Sequence, residues 1–278
     1  MVNLDTRTVK SFGAEWSAFT HAEGELSERD HLAAFNSYFD LFPWNDLPPD
    51  AAGVDVGCGS GRWAKIVAPQ VGRLYAVDPS PQAVAVARAN LSTFSNTTVI
   101  EGEANALPMA DTSLDFAYCL GVLHHVPDTE GALRAIAAKL KPGAPLLLYL
   151  YYSLDNRPVW YRILWRLSNA GRLLISKFPP GFQLITAGAL ASAVYWPLAR
   201  LAALFDRAGA LPRVWPLSFY RDKSFYMMRT DAYDRFCTPL EKRFSRIEIE
   251  TMLLDAGFGN IKFSSHEPFW VAIARRTG

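Results

Sequence analysis

Residues 52–62 read Ala-Gly-Val-Asp-Val-Gly-Cys-Gly-Ser-Gly-Arg, a short apolar strand running straight into three glycines spaced two apart. Few folds have a use for that combination. Glycines at a strand end permit positive φ and let a ligand or a neighbouring backbone come close. A strand that feeds such a turn opens a β-α-β unit, and ligands in that architecture sit beyond the C-terminal strand ends. The dinucleotide fingerprint requires a third glycine three places after the second. That place is held by Arg62, and Gly61 comes one residue too early. A phosphate cradle favours lysine and then Ser or Thr after the glycines, and neither follows. The acid inside the strand end, Asp55, suits a cationic ligand better than a pyrophosphate.

The alternation continues along the chain. Residues 62–69 predict a helix, and 73–77 a second strand with Asp78 at its end. Ser80 caps a helix running to residue 91, with Pro81 in the first turn, where proline is tolerated. Strands follow at 97–100 and 114–119, then a helix at 129–140 stopped by Lys141-Pro142-Gly143, then a fifth strand at 145–152. Residues 245–256 read as a helix whose Ser245 and Glu248 form a capping box. Segments 261–265 and 270–274 alternate like an antiparallel pair. The N-terminal 45 residues are helical in pattern, with Phe12, Trp16 and Phe19 on one face. This order predicts an α/β, doubly wound, mainly parallel sheet.

Composition narrows the function. The 278 residues are 50% hydrophobic and 20% charged, with 18 Gly and 18 Pro, which excludes a disordered or collagen-like chain. A net charge of +1, from 28 basic and 27 acidic residues, carries no signature of a nucleic-acid binder, and no such partner is expected. Cys58, Cys119 and Cys237 lack disulfide or metal spacing, so no metal site is expected and a reducing compartment fits. The first residues lack the apolar stretch of a signal peptide, which predicts a cytoplasmic chain.

Four further elements accompany the glycine turn. Asp78 lies at the second strand end, where a carboxylate can accept from both hydroxyls of a ribose. Residues 102–108 read Gly-Glu-Ala-Asn-Ala-Leu-Pro, after the third strand. Residues 119–128 read Cys-Leu-Gly-Val-Leu-His-His-Val-Pro-Asp, after the fourth. Residues 140–144 read Leu-Lys-Pro-Gly-Ala, before the fifth. Singly, Asp78 is equally a helix N-terminal acid, Glu103 a solvated loop charge, and Gly59 and Gly61 turn residues. Together, in this order and spacing, they resemble the class I S-adenosylmethionine-dependent methyltransferases, of the small-molecule and quinone type (the type 11 methyltransferase family). The resemblance covers residues 50–152, and more weakly the closing helix and hairpin.

It implies a Rossmann-like, seven-stranded, mainly parallel sheet with a helical lid inserted before the last helix and β-hairpin, and S-adenosyl-L-methionine as cofactor. By the resemblance, Asp55, Gly57, Cys58, Gly59 and Gly61 line the methionine part of the cofactor. Asp78, followed by Pro79, holds the ribose. Glu103 accepts from the adenine amino group and Ala104 meets the ring through its backbone. Leu120 flanks the methionine, and the helix bearing Trp16 closes over the cofactor.

Methyl transfer from a sulfonium is a one-step displacement that needs an in-line nucleophile and a dry site, and orientation can supply about 7–11 kcal/mol. A base is required only for a protonated acceptor. His124 and His125, at a strand end, are the candidate bases, and Tyr152 is expected to face the acceptor. The His-His pair equally resembles a loop-shaping feature of the family. Tyr220, Arg221 and Tyr226 are lesser polar candidates, and His21, His31 and His266 are expected to be structural or exposed.

The expected organisation is N-terminal helices over the cofactor site (1–45), a cofactor-binding core (46–152), a helical insertion or lid forming the acceptor site (153–243), and the core's completion (244–278). Residues 156–205 hold six basic side chains, no acid, and Trp160, Trp165 and Trp196. The near-neutral total therefore averages a mildly acidic remainder with a basic insertion. Trp160, Ile163, Leu164, Leu167 and Gly171 share one helical face, with Arg162, Arg166 and Arg172 mostly off it. Residues 182–199 then carry no charge. Three readings stand: a lid whose apolar face packs on the core, a lid around a large apolar acceptor, and a peripheral membrane contact through 156–205. The expected function is methyl transfer to a small-molecule acceptor that is apolar, such as a polyketide, isoprenoid, quinone or lipid-like compound. Two other classes compete with it: a non-catalytic cofactor-binding scaffold, and a same-fold enzyme that uses the cofactor for cyclisation or decarboxylation.

Overall fold

The computed structural model describes residues 3–20, 28–212 and 214–278. They form two compact units, one of residues 3–20, 33–153 and 240–278, the other of residues 28–32, 154–212 and 214–239.

The first unit is built on a seven-stranded sheet: β1 (Ala52–Val56), β2 (Arg73–Asp78), β3 (Thr97–Glu101), β4 (Phe116–Leu120), β5 (Pro145–Tyr149), β6 (Phe258–Phe263) and β7 (Val271–Arg276). The strand order is β3-β2-β1-β4-β5-β7-β6. β1 to β5 run parallel, and β7 is antiparallel to both β5 and β6. Order reverses at β1, which pairs with β2 on one side and β4 on the other, so the crevice of a doubly wound sheet opens at the ends of β1 and β4. β1, β4 and β5 are buried along nearly their whole length, as continuous apolar strands covered on both faces should be, whereas the edge strand β3 is half exposed.

The helices of this unit are α1 (Thr6–Ala18), the larger part of α2 (Glu28–Phe39), α3 (Ala64–Val67), α4 (Pro81–Asn90), α5 (Thr129–Lys139) and α10 (Arg246–Asp255). Leu133 and Ile136 of α5 and Ile249 and Leu253 of α10 join Val54, Val56, Cys119, Leu146 and Leu148 in one apolar core. On the other face, Phe39 packs on Tyr118 and Phe42 on Phe116. Asp5, Ser80, Asp128 and Ser245 each cap a helix by accepting from a first-turn N–H, and the capping box at Ser245 and Glu248 is present.

Several boundaries differ from the sequence expectation, each for a tertiary reason. β4 begins at Phe116, because Leu114 bridges Leu140 and Asp115 accepts from the Ala52 N–H. β5 ends at Tyr149, where β7 runs out at Val271. Beyond it the chain pairs instead with the segment before α10: Ser153 donates to Phe244 O and Phe244 to Tyr151 O. The helix expected over 62–69 shrinks to α3 and a 3-10 turn, Ala68–Gln70, that carries Pro69.

The second unit is helical: α6 (Val159–Ile175), α7 (Pro180–Leu190), a π-helical turn at Ala191–Tyr195, α8 (Trp196–Arg207) and α9 (Phe225–Cys237). Gln183 of α7 accepts from the Tyr233 hydroxyl of α9, and Arg172 of α6 donates to Thr238 O and Pro239 O. The apolar stripe of α6 lies on the exposed side of that helix. Trp160, Ile163, Leu164 and Leu167 are exposed, while Arg172, expected off the packed face, is buried.

Candidate active site

The site begins where β1 stops. Gly57, Gly59 and Gly61 all have positive φ, +77°, +55° and +77°. At Gly57 a Cβ would run into Val122, in the loop after β4, and at Gly59 it would meet the Trp16 indole at 2.8 Å. The turn thus needs glycine both for its backbone and for the side chains packed on it. Gly57 and Cys58 N–H groups are bonded to Val77 O, which ties the turn to the end of β2.

Asp78 completes that tie. One carboxylate oxygen accepts from Gly59 N and the other from Ser80 N, both at 2.9 Å. The side chain is buried, and burial pushes its pKa up to about 6 although the two N–H bonds work against it. Each oxygen keeps lone pairs for a hydroxyl donor. Asp55 lies opposite Tyr118 across the β1–β4 ladder. Burial pushes it up to about 8; the Tyr118 hydroxyl and Arg62 oppose the shift and Asp78 adds to it. Tyrosine proximity does not satisfy the carboxyl, since Asp55 Oδ2 and Tyr118 Oη are both buried without a hydrogen-bond partner. The Cys58 thiol is pushed up by burial and then by the two neighbouring carboxylates, which leaves it neutral.

α1 lies over this turn. Gly13 comes close enough to α4 that a Cβ would meet Gln82 Oε1 and Ser80 Oγ, Trp16 covers Gly59, and Phe12 stands edge-on to His125 at 4.9 Å. At the end of β3, Glu103 accepts from Asn3 N at 3.2 Å, and the Asn3 amide exchanges two bonds with Asp128. Pro79, Glu103, Ala104 and Leu120, at or just beyond the ends of β2, β3 and β4, are partly exposed.

The second half of the site lies at the ends of β4 and β5. His124 is fully buried, stacks on Tyr151 at 3.9 Å and meets the tilted His125 ring at 4.0 Å. Its Nδ1 accepts from Tyr151 N at 3.4 Å. Burial first, then His125 and Arg243, hold its pKa well below the usual histidine range, so the ring is neutral. His125 Nδ1 is 2.6 Å from Leu240 O, which as an acceptor fixes the proton on Nδ1 and leaves Nε2 its lone pair. Arg243 lies 5.1 Å over the Tyr151 ring and is paired with Glu241.

The structure therefore gathers Trp16, Asp55, Cys58, the three glycines and Asp78 at one strand end, and His124 with His125 at the next. It does not bring Tyr152 to the histidines; that ring packs against Phe269 at 5.8 Å. The tyrosine in contact is Tyr151, which sequence reasoning passed over. The pairing of 151–153 with Phe244 turns it there, and no local pattern announces that pairing. Tyr220 and Arg221 are bonded inside the helical unit, to Asp231 and Asp206, and Tyr226 O accepts from Thr230. His266 is paired with Asp40, and His21 lies outside the described residues.

The residues present fit S-adenosylmethionine. A glycine turn that admits close approach, a ribose-competent carboxylate at Asp78 and a buried, unsatisfied acid at Asp55 suit a ligand that is hydroxylated and cationic. Comparison with known proteins agrees. Residues 54–148 match the family model described as a methyltransferase domain. The chain is similar to the ubiquinone biosynthesis O-methyltransferase of Xanthomonas campestris, 35% identical over 36% of this chain and 43% of that protein. It is also similar to the demethylmenaquinone methyltransferase of Bacillus licheniformis, 29% identical over 37% of this chain and 45% of that protein. The alignments thus span less than half the length of these curated relatives. Human N-acetylserotonin methyltransferase, solved in complex with S-adenosylmethionine, shares the fold at a TM-score of 0.51 and 17% identity, over 88% of this chain and 52% of that one.

Proposed function

We propose that this chain, a class I S-adenosylmethionine-dependent methyltransferase by its domain at 54–148, methylates a small apolar acceptor at the ends of β4 and β5. The observation that carries the reading is the glycine turn after β1 laced to Asp78 at the end of β2, at the point where strand order reverses. Quinone methyltransferases among the relatives, and the Phe12 and Tyr151 rings against the histidines, support an apolar acceptor.

Asp78 and the Gly57–Gly61 backbone would hold the cofactor's ribose and methionine ends, and Glu103 and Ala104 its adenine. When bound, S-adenosylmethionine supplies an electrophilic methyl group on a sulfonium. The chain's own part is to position the acceptor, exclude water and, for a hydroxyl or acidic carbon, take a proton. We assign the proton to His125 Nε2, since the Leu240 carbonyl fixes the opposite tautomer position. His124, neutral and packed between Tyr151 and His125, holds that ring in place.

Calorimetry with S-adenosylmethionine tests the cofactor half, and affinity no better than millimolar would sink it. A panel of quinols, phenols and isoprenoid alcohols with labelled cofactor tests the acceptor half, read by mass spectrometry. His125→Gln should lose turnover of hydroxyl acceptors by about 10²–10⁴-fold with cofactor affinity kept. Unchanged turnover removes the base assignment.

A further inference from the structure

In the helical unit, large apolar side chains of α6 and α7 face outward, while Arg172 and Gln183 are buried, as are Met227, Met228 and Tyr233. On α6, Trp160, Ile163, Leu167 and Leu174 point outward, Leu167 at 68% exposure, while Arg172 and Asn169 turn inward and are bonded to each other. On α7, Ile185 is 69% exposed and Phe182 is also outward, while Gln183 is buried against Tyr233 and Cys237. At 100° per residue, Arg166 lies about 60° and Arg162 about 100° from the nearest residue of the outward stripe of α6, and both are exposed, as is Lys177 between α6 and α7. No acidic residue occurs between 156 and 205.

From this we propose that the outward face of α6 and α7 is a docking surface for an anionic lipid bilayer. An amphipathic helix in the interface plane sinks its apolar stripe to the acyl boundary and leaves basic side chains at the headgroups, and tryptophan is at home between the two. Leu167, Leu174 and Ile185 supply the first part, Arg162, Arg166 and Lys177 the second, and Trp160 the third. A second copy of the chain fits less well. A two-fold contact sets the same patch against itself, and this patch would meet its own cations with no acid to pair them. A membrane span fits less well too. Pro180–Arg207 is one continuous helix long enough to cross, but its inner side is bonded to α9, which carries Asp231, Asp234 and Arg235. The surface is independent of the acceptor reading above.

The test is flotation of the full chain with phosphatidylcholine vesicles, with and without phosphatidylglycerol. The protein should float with the anionic vesicles, less so at high salt, with a blue shift in tryptophan emission. Arg162→Glu/Arg166→Glu should weaken that partitioning by at least about 25-fold, at about fivefold per basic residue. Leu167→Gln/Ile185→Gln should weaken it on both kinds of vesicle. Both variants should bind S-adenosylmethionine like the parent, which shows them folded. A protein that stays in solution beside anionic vesicles overturns the proposal. So does a stable dimer in the absence of lipid that Leu167→Gln/Ile185→Gln dissociates.

Discussion

In the sheet unit Leu133, Ile136 and Leu146 are shut away from water, and the polar groups that matter lie at the strand ends. In the helical unit the buried groups include Arg172, Gln183 and Thr238, while Leu167 and Ile185 stand exposed. Buried polar groups in both units are for the most part hydrogen-bonded, with Asp55 Oδ2 and Tyr118 Oη of the sheet unit among the exceptions. The units differ in what the outside is made for. The first gathers a glycine turn and the Asp55 and Asp78 carboxyls at its strand ends. The second turns hydrocarbon edged with cations outward. Sequence composition records neither, because the charges nearly cancel over the whole chain.

Five substitutions or titrations can break or sharpen this contrast. Leu133→Ala should cost about 2–5 kcal/mol in urea unfolding, since the site is fully buried and cannot collapse completely. Asp78→Ala should weaken S-adenosylmethionine binding by about 100-fold in calorimetry, as two turn N–H groups and the ribose lose one acceptor. Arg172→Met should cost about 1–3 kcal/mol by the same unfolding measurement, because it strands the Thr238 and Pro239 carbonyls. A smaller cost would mean that the polar interior of the helical unit is dispensable.

The fourth concerns pH. Asp55 is raised from 3.8 to about 8 by burial. A raised acid is held protonated by the fold, so its contribution to stability is complete below its unfolded value and is lost as pH rises through about 8. A cationic cofactor favours the ionised form instead. Affinity should therefore fall by up to about tenfold for each unit below pH 8, with proton release on binding. Asp55→Asn should flatten this slope down to about 6, where Asp78 begins to titrate. It should also make the free protein more stable at alkaline pH. The smallest effect is expected at Leu167→Gln, about 0.5 kcal/mol or less in water, since the side chain is already solvated. A loss as large as that at Leu133 would show the stripe to be covered by protein.

Much of the sheet unit was legible along the chain. Strand, turn and cap are local devices, and Gly57, Ser80, Asp128 and Ser245 sit where local chemistry requires them. The candidate cofactor residues were implied by the resemblance of short motifs at the strand ends, and Asp78 lies bonded to the glycine turn. Tyr151 was not legible. Its place beside His124 depends on a non-local pairing of 151–153 with Phe244, more than 90 residues on. The early end of β5 and the late start of β4 come from the same kind of cause. Register against a distant partner decides them, and propensity does not.

The chain alone carries the parallel sheet and its glycine turn, because these follow from backbone freedom, capping and short-range apolar spacing, whereas the cofactor is implied by the resemblance of the motifs to a known family. The sequence also determined that α6 would be amphipathic. Only the tertiary structure decided which side of α6 is the inside. Helical periodicity fixes that apolar residues share a face, but the direction of that face is set by what the other face binds. Here Arg172 finds the Thr238 and Pro239 carbonyls, and the hydrocarbon is left to the outside.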